Sequence, residues 1–130
     1  MTSIHLSIPL SATPDRVWAA VRAVGSPHIE LSPGFVTACE LTDRTRTVTF
    51  ANGAVARELI VDVDDERRRL AYAVIESGLG MQHHHAVMQV EARGAGTQLV
   101  WTVDVLPDEI APRVRELMSA GAAAITQALA

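Results

Sequence analysis

The sequence predicts an α+β fold in which a curved, seven-stranded antiparallel sheet wraps around a long C-terminal helix. Three observations carry this expectation. From Gly34 to Val105, six strand-like segments follow one another with only tight-turn residues between them. A seventh strand pattern and a short helix precede that run. The chain then ends in PDEIAPRVRELMSAGAAAITQALA, Pro107 to Ala130, where Ile110, Val114, Leu117, Met118, Ile125 and Leu129 recur at the three-and-four spacing of a helix with one buried face. A sheet of this size twists, and one amphipathic helix must cover its apolar face, so the sheet curls around the last segment.

In chain order, Ser3–Leu10 alternates, with Ile4, Leu6, Ile8 and Leu10 on one face and His5 and Ser7 on the other, as in a half-buried strand. SATPDRVWAAVRAVG begins a helix with Thr13 as N-cap, Pro14 in the first position and Asp15 in the first turn, and Gly25 ends it. Val17, Val21 and Val24 form its apolar stripe, with Trp18 beside them. Ser26–Pro33 is too short and proline-rich for a full helix and reads as a single turn or loop. The meander comprises GFVTACELT, TRTVTFA, AVARELIVDV, RRLAYAVIE, MQHHHAVMQVEA and TQLVWTVDV. Asp43-Arg44, Asn52-Gly53, Asp64-Asp65-Glu66, Gly78-Leu79-Gly80 and Gly94-Ala95-Gly96 separate the strands, and Asn-Gly between two strands is a strong hairpin signal. Strands joined so tightly must be antiparallel. In the last segment Asp108 and Glu109 suit the positive end of a helix, Asp108 as an acceptor for free backbone N–H groups, and Pro112 fits only the first turn, so the regular helix starts near Ala111. Ser119 to Ala124, SAGAAA, places six small residues where a packing helix normally carries bulky ones.

The chain has 130 residues, 48% of them hydrophobic and 20% charged, which fits one folded domain spanning residues 1–130 rather than a disordered segment. Its net charge is -4, with eleven arginines and no lysine, so there is no basic patch to neutralise phosphates and a nucleic-acid partner is not expected. No signal peptide or long apolar span is visible and the single Cys39 cannot form an internal disulfide, which together predict a cytoplasmic protein that does not insert into membranes. The arginine- and alanine-rich, lysine-free composition points to a bacterial, high-GC source.

The order of elements and several residues resemble the START/polyketide-cyclase (SRPBCC) superfamily, the helix-grip proteins that include the birch-pollen allergen. The matching stretches are SATPDRVWAAV with Pro14, Val17 and Trp18; SPGFVTACEL; NGAVARELIVDVDD with Glu58 and Asp64; RRLAYAV with Leu70 and Tyr72; and GTQLVWTVDVLP with Thr97 and Trp101. Between the first helix and second strand the chain has Pro27-His28 and Ser32-Pro33-Gly34 in place of the Trp-Pro often seen there. The resemblance implies a hydrophobic ligand held between sheet and C-terminal helix, in a cavity rather than through a defined chemistry.

Alternation sets the inner faces. Leu99, Trp101, Val103 and Val105 point inward in the last strand, His84, Ala86, Met88 and Val90 in the one before, and Leu70, Tyr72 and Val74 in RRLAYAVIE. His84 and Tyr72 are thus polar groups in an apolar lining, the usual form of a small-molecule site. A buried imidazole with a pKa near neutrality could shuttle protons with Tyr72 to a ligand carbonyl or enol; the alternative is an imidazole at the sheet edge, bonded to Tyr72 or solvent. Trp18, Glu58, Tyr72, His84, Met88, Trp101, Met118 and Gly121 are the expected ligand-contacting residues, although a tryptophan such as Trp18 or Trp101 is more often part of a packed core than a ligand platform. Glu58 lies in a strand whose two faces are both mixed. Facing in, it needs a partner; facing out, it forms a salt bridge across the meander, the slightly favoured reading. His83 and His85 share the outer face without a neighbouring Cys or carboxylate, so no metal site is expected, and no cofactor is implied. Cys39 reads as a small buried hydrophobe.

These readings predict a protein that binds a small, ring-containing or polyketide- or lipid-like molecule opposite SAGAAA, with cyclisation or dehydration of a poly-keto chain as the reaction if it is an enzyme. A non-enzymatic carrier or sensor, or an interaction module with a collapsed cavity, is the alternative, and the protein would be a monomer or a homodimer. Gly121→Leu is expected to fill the ligand space without disturbing the fold.

Overall fold

A computed structural model describes residues 1–130. β1 (Thr2–Leu10) leads into α1 (Pro14–Arg22) and a π-helical turn at Pro27–Leu31. The meander follows as β2 (Val36–Thr42), β3 (Thr45–Phe50), β4 (Val55–Asp64), β5 (Arg69–Glu76), β6 (His83–Arg93) and β7 (Gly96–Leu106). A 3-10 turn at Asp108–Ile110 precedes α2 (Ala111–Leu129), a helix of 19 residues. The seven strands form one antiparallel sheet in the order β1-β7-β6-β5-β4-β3-β2, so β1 crosses over to close against β7. This is the helix-grip architecture the pattern of elements predicts.

Local chemistry explains most boundaries. The Thr13 side chain accepts from the Arg16 N–H at 3.2 Å and Pro14 opens α1. α1 stops at Arg22, three residues before the expected Gly25. The Val24 carbonyl is thereby freed to accept from Arg46 Nη1 at 3.0 Å. Asp108 does not cap α2, contrary to expectation. It accepts instead from the Thr2 hydroxyl (2.7 Å) and pairs with the N-terminal ammonium (3.1 Å), tying the start of β1 to the turn before α2.

The curl has visible causes. Register shifts interrupt β2/β3 at Val36/Ala38 and β4/β5 at Arg57/Glu58 and Ile60/Asp62, and such irregularities bend a strand and increase its twist. β5 and β6 pair only from Arg69↔Gln89 to Tyr72↔Ala86, and both strands then continue apart. The sheet is therefore split at that end.

β1, β7, α1 and α2 meet in the core, where Ile4, Val17, Leu99, Val105, Ile125 and Leu129 are almost fully buried. Two contacts lock the chain ends: the Ala12 N–H donates to the Leu129 carbonyl (3.0 Å), and the Thr97 hydroxyl donates to the Ala12 carbonyl (2.7 Å). At Gly96 a Cβ would lie 2.4 Å from the Leu10 carbonyl oxygen, so only glycine lets β1 and β7 close there.

Candidate functional site

Between the inner face of the sheet and α2 lies a cavity of about 290 Å³. Its walls are mostly apolar: Val48, Phe50 and Ala56 from β3 and β4, Met88 and Val103 from β6 and β7, and Val114, Leu117, Met118 and Ile125 from α2. Asn52, Val55, Gly78 and Arg113 also line it and are solvent-exposed, so the cavity opens between the β3–β4 turn, the β5–β6 turn and the start of α2. Met88, Met118 and Trp101 border this space without filling it, which corrects the alternative of a collapsed cavity.

Four buried polar side chains of the lining, Arg46, Glu58, Tyr72 and His84, lie on the sheet wall and derive from alternation in four adjacent strands. In β3, Arg46, Val48 and Phe50 share the inner face while the threonines face out. The β3–β4 register pairs Arg46 with Glu58, and both are buried. Arg46 Nε donates to Glu58 Oε1 at 2.8 Å, Nη1 donates to the Val24 carbonyl, and the guanidinium carbon sits 5.1 Å from the centre of the Tyr72 ring. Glu58 therefore faces in and is neutralised within the wall, which corrects the slightly favoured exposed salt bridge. An ion pair so placed is costly to halve, because its partner is left charged and desolvated.

Tyr72 and His84 stand side by side, their ring centres 6.0 Å apart. The Tyr72 hydroxyl oxygen accepts from Trp101 Nε1 at 3.1 Å, which leaves its own proton without a protein acceptor. Burial, then the Glu58 charge, pushes its pKa above the ordinary phenol value, so it stays a neutral donor. His84 occupies the split between β5 and β6, where Nδ1 accepts the Val74 N–H at 3.0 Å in place of a missing strand partner. That bond puts the proton of the neutral ring on Nε2. Burial, followed by the like charges of His85 and His83, lowers the His84 pKa to about 4. The expectation of a near-neutral proton shuttle and the alternative of an imidazole bonded to Tyr72 are thus both corrected: His84 bonds to backbone through Nδ1, and both side chains are neutral donors at pH 7.

The remaining expected contacts divide. Tyr72, His84, Glu58, Met88, Trp101, Met118 and Gly121 all line the cavity. Trp18 does not. Its ring is buried in the core under α1, and Nε1 donates to Asp65 in the β4–β5 turn at 3.0 Å, where Arg22 also binds. Of SAGAAA only Gly121 reaches the cavity, and its role differs from the one expected. A Cβ there would lie 3.2 Å from Trp101 Cη2 and 3.2 Å from Phe35 Cε2, so glycine makes room for the Trp101 ring rather than for a ligand. Gly121→Leu therefore presses on the Trp101 and Phe35 rings as well as entering the ligand space, so a loss of stability is the expected outcome rather than an undisturbed fold. Cys39 is half-buried rather than buried, and desolvation raises its thiol pKa. His83 and His85 lie on the outer face of β6, opposite Leu106 and Asp104 of β7.

Arg46 was the functional residue missed. Its signal was present in part: the threonines at 45, 47 and 49 mark Arg46 as inward, whereas a two-residue Asn52-Gly53 turn would set position 46 opposite 59 and the observed register sets it opposite 58.

The family described as "Polyketide cyclase / dehydrase and lipid transport" matches residues 1–130. Among curated proteins, none matches the sequence. Among solved structures, the protein XoxI from Bacillus cereus superposes with a TM-score of 0.88 at 20% identity, covering 99% of this chain and 96% of that one. Norcoclaurine synthase from Thalictrum flavum gives a TM-score of 0.72 at 23% identity over 97% of this chain and 84% of that one. Major latex-like protein 151 from Panax ginseng gives 0.79 at 13% identity over 97% and 95%. At these identities the likeness is one of fold.

Proposed function

This chain belongs to the polyketide cyclase/dehydrase and lipid transport family, and we propose that it binds one small, ring-containing apolar molecule in the cavity between the sheet and α2. The observation that carries this reading is a mostly apolar space of about 290 Å³ with four buried polar side chains, Arg46, Glu58, Tyr72 and His84, on its sheet wall. A cavity of roughly 150 Å³ accepts benzene, so this one suits a molecule of about two rings. Enclosure removes apolar ligand surface from water and supplies most of the affinity.

Binding is favoured over proton-transfer catalysis by His84, because Nδ1 is occupied by a backbone N–H and the ring stays neutral at pH 7. Turnover by cyclisation or dehydration would come from holding a poly-keto chain bent, with Tyr72 and His84 polarising a carbonyl and proximity lowering the barrier. The family's description and the synthase among its structural neighbours favour keeping this second reading.

The test is a titration with 6-propionyl-2-(dimethylamino)naphthalene, a neutral two-ring dye whose fluorescence responds to apolar surroundings. Saturable one-site binding, accompanied by a rise in melting temperature with dye concentration, is expected. Absence of saturable binding by the folded protein would overturn the proposal. Incubation with a model poly-ketone then separates carrier from cyclase: product formed faster than in buffer favours the second reading.

A further inference from the structure

The charges around the cavity say which end group its occupant carries. Two cationic side chains line it, and each is already paired. Arg46 is held by Glu58 at 2.8 Å, by the Val24 carbonyl and by the face of Tyr72. Arg113, at the mouth, pairs with Glu116 at 3.0 Å. An entering carboxylate would lose its hydration and find no unpaired cation, and a buried unpaired charge is strongly disfavoured. By contrast, Tyr72 and His84 present two N–H or O–H protons without protein acceptors on that wall. An occupant that is purely hydrocarbon would leave both unsatisfied, which is itself costly.

We propose that the occupant is an uncharged molecule of about two rings bearing a carbonyl oxygen that accepts from the Tyr72 hydroxyl and His84 Nε2–H, and that the self-paired Arg46–Glu58 wall excludes carboxylates. This rests on the binding reading above and adds to it the choice among end groups. A free fatty acid or aromatic acid is therefore a poor ligand, and a cyclic ketone of the same skeleton a good one. Glu58 acts here as a specificity-determining residue: it withholds the Arg46 charge from the ligand.

The experiment compares three probes of one skeleton by calorimetry and ligand-observed NMR: tetralin, 1-tetralone and tetralin-1-carboxylate. In the wild-type protein 1-tetralone should bind about tenfold or more tighter than tetralin, since each neutral hydrogen bond is worth about fivefold. The carboxylate should bind more weakly than tetralin. Tyr72→Phe should narrow the ketone-to-hydrocarbon ratio by about fivefold. That ratio is taken within one protein, so a general loss of stability does not mimic the result. Glu58→Gln exposes the Arg46 charge and should move the carboxylate ahead of tetralin. Equal binding of ketone and hydrocarbon, or a carboxylate that matches the ketone in the wild type, overturns this inference and leaves the binding reading standing. If none of the three binds the folded wild-type protein, both fall.

Discussion

Replacing His84 with glutamine should make the protein less sensitive to acid, even though it disturbs the cavity wall. The native ring is neutral, with Nδ1 accepting the Val74 N–H and its pKa lowered from 6.5 to about 4 by burial and by its histidine neighbours. Above about pH 6.5 the ring is uncharged in both folded and unfolded chains and contributes no pH dependence. As pH falls below that value the unfolded chain binds a proton that the native state refuses, so stability declines until the native ring titrates near pH 4. A tenfold difference in proton affinity between the two states corresponds to about 1.4 kcal/mol, so His84 alone should remove roughly 2 kcal/mol of stability between pH 7 and about pH 4.5. Asp64, Asp65 and Asp108 have pKa values lowered below 3.8 by their hydrogen-bond partners, and they act in a lower window. The assay is urea unfolding followed by tryptophan fluorescence at both pH values. His84→Gln can still accept from Val74 through its amide oxygen, but it cannot be protonated. The wild type should lose roughly 2 kcal/mol more than the variant over this interval. Equal losses in the two proteins would refute the buried neutral ring and, with it, the assignment of Nε2–H as a ligand donor.

Two further outcomes follow from the packing. Gly121→Leu places side-chain atoms against Trp101 and Phe35, where even a Cβ meets carbon atoms at 3.2 Å. Overpacking of this kind costs about 1–3 kcal/mol, partly offset by about 1 kcal/mol from leaving glycine in a helix. Urea unfolding should report a net loss and dye titration weaker binding; no change in either would place this face of α2 away from the cavity. Trp18→Phe removes the indole bond to Asp65 and should lower the melting temperature slightly while leaving dye affinity unchanged, because the ring lies outside the cavity. A clear drop in affinity with the fold intact would return Trp18 to the ligand site.

Much of the architecture follows from local rules. Alternation along β5, β6 and β7 identified Tyr72, His84, Met88 and Trp101 as inward, and turn chemistry marked each hairpin, because a strand's period of two and a turn's backbone angles depend on neighbours along the chain. The helical spacing after Pro107 identified the segment the sheet encloses in the same way. Side-chain partners across elements were less legible. Alternation left the face of Glu58 open, and nothing near Trp18 in the sequence indicates that its indole reaches Asp65, 47 positions away.

The sequence by itself therefore determined the elements, their order, the inward faces of three strands and the family resemblance. Only the tertiary structure decided that the Val24 carbonyl anchors Arg46 after α1 ends early, that His84 fills a split between β5 and β6, and that Gly121 accommodates Trp101. Each depends on where two distant surfaces meet, to within a few tenths of an ångström in close-packed contact. A cavity is likewise the volume that large, independently placed side chains fail to fill, and no local pattern in the chain encodes that difference.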